Sequence, residues 1–540
     1  MAYGIELNPE FRRALELLER SQHHVLVTGR AGTGKSTLLQ YFVANTFKNV
    51  AVLAPTGVAA VNVGGQTIHS FFGFKPNITP QEVDELAPSA RSKRVYRELE
   101  LLVIDEVSMV RADLLDCMDR FLRVARQAPN RPFGGVRMAF FGDLYQLPPV
   151  VTRREKAAID ALYATPYFYS SQVFQGIDIK LVELEKVYRQ TDDRFLELLG
   201  AIRSGAVTEA DLALLNSRCF PAFEPGPADL YVQLTATNAL AEETNQRQLA
   251  RLRGRLYTFI GELYGDFGED HAPAPIRLEL KVGAQVMLVN NDPRGRWVNG
   301  TLGRVVRVVS GRQNEGVVAV ELQDGDLVEV GPHTWELFEY YVEDGHLRSR
   351  VVGRYIQLPL MLAWAVTIHK SQGKTFDRVI IDIGRGAFAP GQVYVALSRC
   401  RTLEGIVLKR PIQKKHIWVD YRIADFLTRL HYRQADEALP PDRRRALIEE
   451  AIRTGSALEV VYLKPGGEKS RRVILPKELG EFEYGGRRFL GLRAYCTARQ
   501  DERLFRVDRI LELKPAPRNR SAKHSRLFHR PCSASCFSDP

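Results

Sequence analysis

An α/β fold organised around a nucleotide site is predicted by three short apolar strands, each delivering a polar loop at its C-terminal end. VLVT (25–28) runs into GRAGTGKST (29–37) and a helical stretch, LLQYFVAN. LLVID (101–105) ends at Asp105 with Glu106 next to it, and VRMAFFGD (136–143) opens the loop GDLYQLPPV.

The first strand sets the chemistry. In G-x-x-x-x-G-K-[ST] the glycines let successive N–H groups turn inward on phosphate oxygens, and the following helix adds its positive end. Gly29, Ala31, Gly32, Thr33, Gly34, Lys35, Ser36 and Thr37 form the expected cradle for ATP. Lys35 is expected to neutralise the β- and γ-phosphates, and the Ser36 hydroxyl to hold Mg²⁺. Asp105, at the tip of the second strand, is a further Mg²⁺ ligand. Glu106 is placed to accept a proton from an attacking water. Gln146 lies at the exit of the third strand, and spacing alone leaves it either a γ-phosphate sensor or a loop amide.

Composition bounds the rest. A chain of 540 residues suggests roughly three to five domains. No apolar run reaches membrane-spanning length, and Glu6, Glu10 and Glu16 argue against a secretory signal, so no membrane association is expected. The net charge of +11 suits a polyanionic partner. Cys117, Cys219, Cys400 and Cys496 are scattered singly, which suggests no disulfide framework and a reducing, cytoplasmic setting.

Longer motifs narrow the reading. IDEVSM (104–109), GDLYQLPPV (142–150), APTGVAAVNVGGQTIHSFF (54–72), TIHKSQGKTFD (367–377) and VYVALSRCR (393–401) resemble the PIF family of superfamily 1, subgroup B DNA helicases. DRFLRVARQAPNRPFGGVRM (119–138) is similar to the signature that sets this family apart. The likeness covers roughly residues 5–430 in the family's order.

That resemblance implies two tandem RecA-like motor domains, 1–175 and 176–432. It implies ATP-driven 5′→3′ movement along single-stranded DNA and unwinding of tailed, forked or G-quadruplex DNA. It further implies a monomer associated with a prokaryotic nucleoid. Residue by residue, Lys35, Ser36, Asp105 and Glu106 match the phosphate-binding, metal-binding and catalytic positions, and Gln146 the γ-phosphate sensor. Arg189 (in ELEKVYRQ) and Arg399 match two arginines that reach the γ-phosphate from the second motor domain, and Gly373 should face the nucleotide. Many relatives read adenine with a glutamine in a context like LNPEF; here Phe11 stands in that place, and Gln22 lies closer to the phosphate loop. The implied DNA track comprises Thr56, Gly57, His69, Ser70 and Phe72 in the first domain, and Thr367, His369, Lys370 and Ser371 in the second. Phe71 and Phe72 are each compatible with a core position or with base stacking.

Further segments complete the chain. Residues 73–97 form a polar stretch that the resemblance makes a wedge insertion. Residues 255–355 alternate apolar runs with turn signals, Asn299-Gly300 and Asp324-Gly325 among them, and read as a small antiparallel β-barrel in which Trp297 is open to packing, the favoured role, or to stacking on DNA. ADEALPPDRRR suggests a linker at 433–445. Residues 446–515 resemble a WYL domain, a small strand-rich module, through Tyr462, Arg472, Tyr495, Cys496, Arg506, Asp508 and Arg509, with Phe489 or Leu490 where the family has Trp. The tail 516–540 is basic and unpatterned and is expected to be disordered; a zinc site of His524, His529, Cys532 and Cys536 is the weaker alternative. Two other functions stand beside the helicase: a remodeller with little unwinding, and a DNA-binding regulator with the WYL module as ligand sensor.

Overall fold

The computed structural model describes residues 6–75, 78–190, 192–226, 229–309, 316–383, 389–464, 469–484 and 486–516. The expected tail, with its four histidines and cysteines, lies outside the described residues apart from Ala516. Contacts divide the chain into two units, Met1–Phe426 and Leu427–Pro540.

The first unit opens with helix α1 (Pro9–Arg20), whose Asn8 cap accepts a hydrogen bond from the Phe11 N–H. Six strands follow: β1 (His24–Gly29), β2 (Val50–Ala54), β3 (Gln66–Thr67), β4 (Leu101–Ile104), β5 (Arg137–Gly142) and β6 (Ile179–Leu184). They pair in the order β3-β2-β4-β5-β1-β6, all parallel. Val25, Val27, Val103 and Phe141 pack against Phe11 and Leu18 of α1 and against Leu38 and Phe42 of helix α2 (Lys35–Asn45). Continuous apolar strands such as Leu101–Ile104 are what a parallel sheet covered by helices requires. Because β6 pairs with β1 along its whole length, the first lobe runs to Leu184 rather than to the expected 175. Apolar strands of equal quality flank that boundary, so composition alone gave no sign of it.

A second, four-stranded parallel sheet is built from Ala365–Thr367, Val232–Thr235, Val379–Ile381 and Ile406–Leu408. Between its first two strands in the chain lies the expected barrel segment. It contains antiparallel sheets of two, five and three strands, and the five-stranded one recruits Leu360–Leu362 from beyond the expected limit of 355. Trp297 is buried in its core, with Nε1 donating to Asn290 Oδ1 at 3.0 Å. Its longest hairpin (His333–Glu343 with His346–Gln357) reaches the first lobe. There Val52 N–H donates to Tyr340 Oη (2.9 Å), and Asn49 donates to Gly345 O (3.0 Å) while accepting from Leu347 N (2.6 Å).

Within the expected wedge, helix Pro80–Leu86 starts at a Thr79–Glu82 capping box and is followed by a 3₁₀ turn and helix Arg94–Glu98. The wedge sits beside an aromatic cluster. Phe72 is 2% exposed, stacked on Phe74 at 5.1 Å and edge-on to Phe121 at 5.2 Å, while Tyr96 Oη donates to Phe71 O. Phe72 therefore belongs to the core, which removes it from the expected DNA contacts, and Phe71 is buried with it.

The expected linker 433–445 is helical instead. Helix Tyr421–Ala438 continues through its first half, and Pro441 begins the helix Pro441–Thr454. Proline at a first helical turn starts a helix as readily as it ends one, which the pair Pro440-Pro441 concealed. The second unit then forms a five-stranded antiparallel sheet around Ile448, Val460, Ile474, Leu492, Phe505 and Ile510. Tyr462 lies edge-on to Phe505, and its hydroxyl accepts from Arg506 N; Arg506 pairs with Asp508 and lies over Phe489, and Arg472 reaches Cys496 Sγ at 3.7 Å.

Phe72→Ala removes a fully enclosed ring and should lower unfolding stability by about 3–5 kcal/mol in denaturant titration. If the ring instead served DNA alone, stability would stay unchanged while affinity fell.

Candidate nucleotide and DNA cleft

The phosphate loop connects β1 to α2. Gly32 (φ 82°) and Gly34 (φ 84°) both sit in the left-handed region. Space forbids side chains there as well: a Cβ on Gly32 would lie 2.5 Å from Arg189 Cβ, and one on Gly34 would lie 3.0 Å from Phe11 Cζ. Phe11 is buried and lies beneath the loop at Gly34, so its ring packs where relatives carry a glutamine. Gln22 is exposed ahead of β1, at the strand end opposite the loop and roughly 20 Å from it at about 3.3 Å per residue.

Lys35 Nζ donates to the carbonyls of Gly29 (2.9 Å) and Arg30 (3.0 Å). Burial lowers its affinity for a proton, while Asp143 and Glu106 oppose the shift. Asp105 and Glu106 follow β4. Burial, then the neighbouring Glu106, pushes the Asp105 carboxyl up to about 7. Burial also raises Glu106, against the pull of Lys35 and Arg399. Glu106 adopts φ 49°, a conformation uncommon for a residue with a side chain, and opens the turn Val107–Met109. Ser36, Asp105 and Glu106 line one cleft of about 1270 Å³. A hydroxyl and a carboxylate at its wall suit Mg²⁺, which keeps waters and phosphate oxygens in its remaining positions. The donor set present therefore fits a magnesium nucleotide.

Both expected arginines converge here, by different routes. Arg399 follows helix Gln392–Leu397 of the second half and is 1% exposed. Its guanidinium donates to Val395 O (3.0 Å) and Ser398 Oγ (3.1 Å), and at 3.4 Å to the carbonyls of Ser371 and Lys374. Arg189 was expected from the second domain, but it leaves the sheet just after β6, and Tyr188 N–H donates to Gly32 O (2.9 Å), seating it on the phosphate loop. Only its guanidinium reaches the second half, at Gly373 O (3.3 Å), and Nη1 is buried with no partner among the described residues. Burial and then the Arg399 charge lower Arg189 to about 9.

Residues without an individual sequence signal join the two halves. Tyr394 Oη donates to Asp143 Oδ2 (3.1 Å) and accepts from the Ala31 N–H (3.2 Å). Arg203 donates to Asp143 Oδ1 (3.3 Å) and lies over the Tyr145 ring. Gln372 Nε2 donates to Gln146 Oε1 (3.0 Å), tying the expected sensor to the motif around Gly373. Tyr394 and Asp143 lie inside the quoted motifs; Arg203, on a plain helix, carried no signal.

The expected DNA contacts divide by exposure. Thr56, His369 and Lys370 are exposed along the same cleft. Ser70 is exposed and His69 half-buried nearby in sequence. Gly57 faces His271 of the insertion, against which a Cβ would clash at 2.6 Å. Thr367 and Ser371 are buried: the Thr367 hydroxyl accepts from Lys370 N, and Ser371 Oγ donates to Ile368 O. Their side chains shape the turn that presents His369 and Lys370, which corrects the expectation that they touch DNA.

The fold and this cleft define a phosphate-loop protein of two RecA-like lobes. A family model for PIF1-like helicases matches residues 7–212, and one for the WYL domain matches 445–515. The ATP-dependent DNA helicase Pif1 of Bdellovibrio bacteriovorus is 35% identical over 418 residues, which is 75% of this chain and 88% of that protein. Bacteroides sp Pif1 in complex with ADP-AlF4 is 36% identical, covering 78% of this chain and 96% of that one, with a TM-score of 0.71. Bacteroides Pif1 bound to ssDNA gives 0.54 over the same share of this chain. The chain belongs to the PIF1-like helicase family and carries a WYL domain at its C-terminal end.

Tyr394→Phe deletes two buried hydrogen bonds that join the two halves of the first unit. Unfolding stability should fall by about 1–3 kcal/mol in a denaturant titration; an unchanged midpoint would mean that water replaces both bonds.

Proposed function

We propose that this protein is an ATP-dependent, Mg²⁺-requiring DNA helicase that moves 5′→3′ on single-stranded DNA and opens tailed, forked or G-quadruplex substrates. One observation carries the proposal. Lys35, Arg189 and Arg399 all act electrostatically on Glu106, and Glu106 and Asp105 line a cleft along which Thr56, His369 and Lys370 are exposed. Chemistry and strand therefore share one seam between two lobes.

In this reading the loop amides and Lys35 hold the phosphates, and Ser36 and Asp105 hold the metal. The bound magnesium nucleotide supplies the phosphoanhydride and the divalent charge beside it. Glu106 accepts the proton of the attacking water, Gln146 orients that water, and Arg189 and Arg399 stabilise charge on the transferring group. Because the Gln372 bond couples Gln146 to the turn bearing His369 and Lys370, a strand on that turn can alter the geometry at the γ-phosphate. Closing the seam then converts hydrolysis into a step.

Lys35→Ala should reduce DNA-stimulated hydrolysis to background. Arg399→Lys keeps the charge but loses the fork, and should lower turnover by roughly 10³-fold or more, the scale of an arginine finger. Retention of full hydrolysis by either variant contradicts the site assignment. Polarity is read by comparing duplexes with a 5′ or a 3′ single-stranded tail. The 5′-tailed substrate should open faster, and preference for the 3′ tail reverses the assigned direction.

A further inference from the structure

The cleft contains a cation that neither nucleotide chemistry nor internal pairing explains. Lys374 follows Gly373, and its main-chain carbonyl accepts from Arg399, on the side of the catalytic arginines. Its side chain runs toward the strand-rich insertion: the stem lies against Gly300, where a Cβ would sit 3.2 Å from Lys374 Cβ, and Nζ is 3.6 Å from Met287 Sδ. That thioether is its sole hydrogen-bond partner among the described residues, and no carboxylate pairs with it there. Burial, and then Lys370, lower the amine to about 8. An ammonium enclosed beside a large cleft with only a sulfur atom to greet it is costly, and a bound anion removes that cost.

The adjoining loop offers matching groups. Gly300 takes φ 102°, which turns the loop at the cleft wall. Thr301 Oγ1 accepts from Val298 N, leaving its O–H free to donate. Asn299, which also lines the cleft, has an Oδ1 buried without a partner among the described residues, and its amide NH₂ is a donor by chemistry. The remaining titratable groups along the cleft are Asp105 and Glu106 on the nucleotide side, and Glu242, Glu269, Asp324, His369, Lys370, Asp377 and Arg401, of which Asp377 and Arg401 pair with each other.

We propose that Lys374, with Asn299 and Thr301, forms a seat for one phosphodiester of the DNA strand, joining the motor lobe to the insertion through the strand. The proposal rests on the DNA-binding reading above. A phosphate at this seat restores the ordinary proton affinity of the amine. Binding near pH 8 therefore takes up part of a proton, and affinity falls as pH rises through that value.

Lys374→Met and Lys374→Arg test it, with a thymidine oligonucleotide titrated across salt concentrations and by calorimetry in buffers of different ionisation enthalpy. The methionine variant should bind about tenfold more weakly at low salt, with a salt slope smaller by about 0.7, one phosphate contact on a single strand, and with no proton uptake. The arginine variant should regain the slope without the proton, since a guanidinium does not titrate there. Thermal unfolding should show the methionine variant no less stable, because the folded state carries an amine whose proton affinity is lowered, a term that disfavours folding in full below about pH 8 and fades as pH rises toward the ordinary lysine value of 10.5. If all three proteins bind the oligonucleotide with the same slope and proton uptake, the seat is wrong while the DNA reading stands. If Lys374→Met loses affinity for ADP–aluminium fluoride rather than DNA, the seat belongs to nucleotide. If the unaltered protein binds no oligonucleotide, the functional reading itself falls.

Discussion

Positive charge held out of water, with carboxylates near it but none in a direct ion pair among the described residues, is the constraint around which the first unit is arranged. Lys35, Arg189 and Arg399 are enclosed near one another, and burial weakens the hold of each on its proton. The acids nearby, Asp105 and Glu106, are pushed the opposite way. Carbonyls and one another's fields satisfy these groups only in part, as the unmatched Nη1 of Arg189 shows. A polyanion carrying a divalent cation complements both sets at once.

Much of this is legible in the sequence. Strand–loop–helix order fixed the phosphate loop, because its glycines have no alternative use in that setting. The acidic pair after Leu101–Ile104 was legible because polar groups attached to a continuous apolar run are placed by the run; the arginine of VYVALSRCR was legible only through the family resemblance, since an isolated arginine is more often a surface residue. What failed to show was depth. Phe72, Thr367 and Ser371 occupy motif positions, yet their side chains face inward, and a motif lists neighbours in sequence without saying which neighbour turns to solvent. Local turn chemistry decides that: Thr367 and Ser371 spend their hydroxyls on the backbone of a single tight turn, leaving His369 and Lys370 outside it.

Chain separation hid the remainder. Tyr394 meets Ala31 and Asp143, partners 363 and 251 residues distant, through hydroxyl bonds that no periodicity encodes. Arg189 was placed in the wrong lobe because β6, which precedes it, completes the first sheet rather than beginning the second. At the far end, Pro440-Pro441 read as a break and proved to be the start of a helix. In each case the local signal was sound and its tertiary use was open.

The hairpin contact at Asn49 has a mechanical meaning. One amide gives a hydrogen bond to Gly345 and takes one from Leu347, doing for a strand end what an adjacent backbone ordinarily does. Water can stand in for either bond at a net difference of about 1 kcal/mol. The neighbouring Tyr340 is of another kind, its hydroxyl held on Val52 and its ring edge-on to Phe71, so the seam combines an exchangeable polar clasp with a packed aromatic anchor.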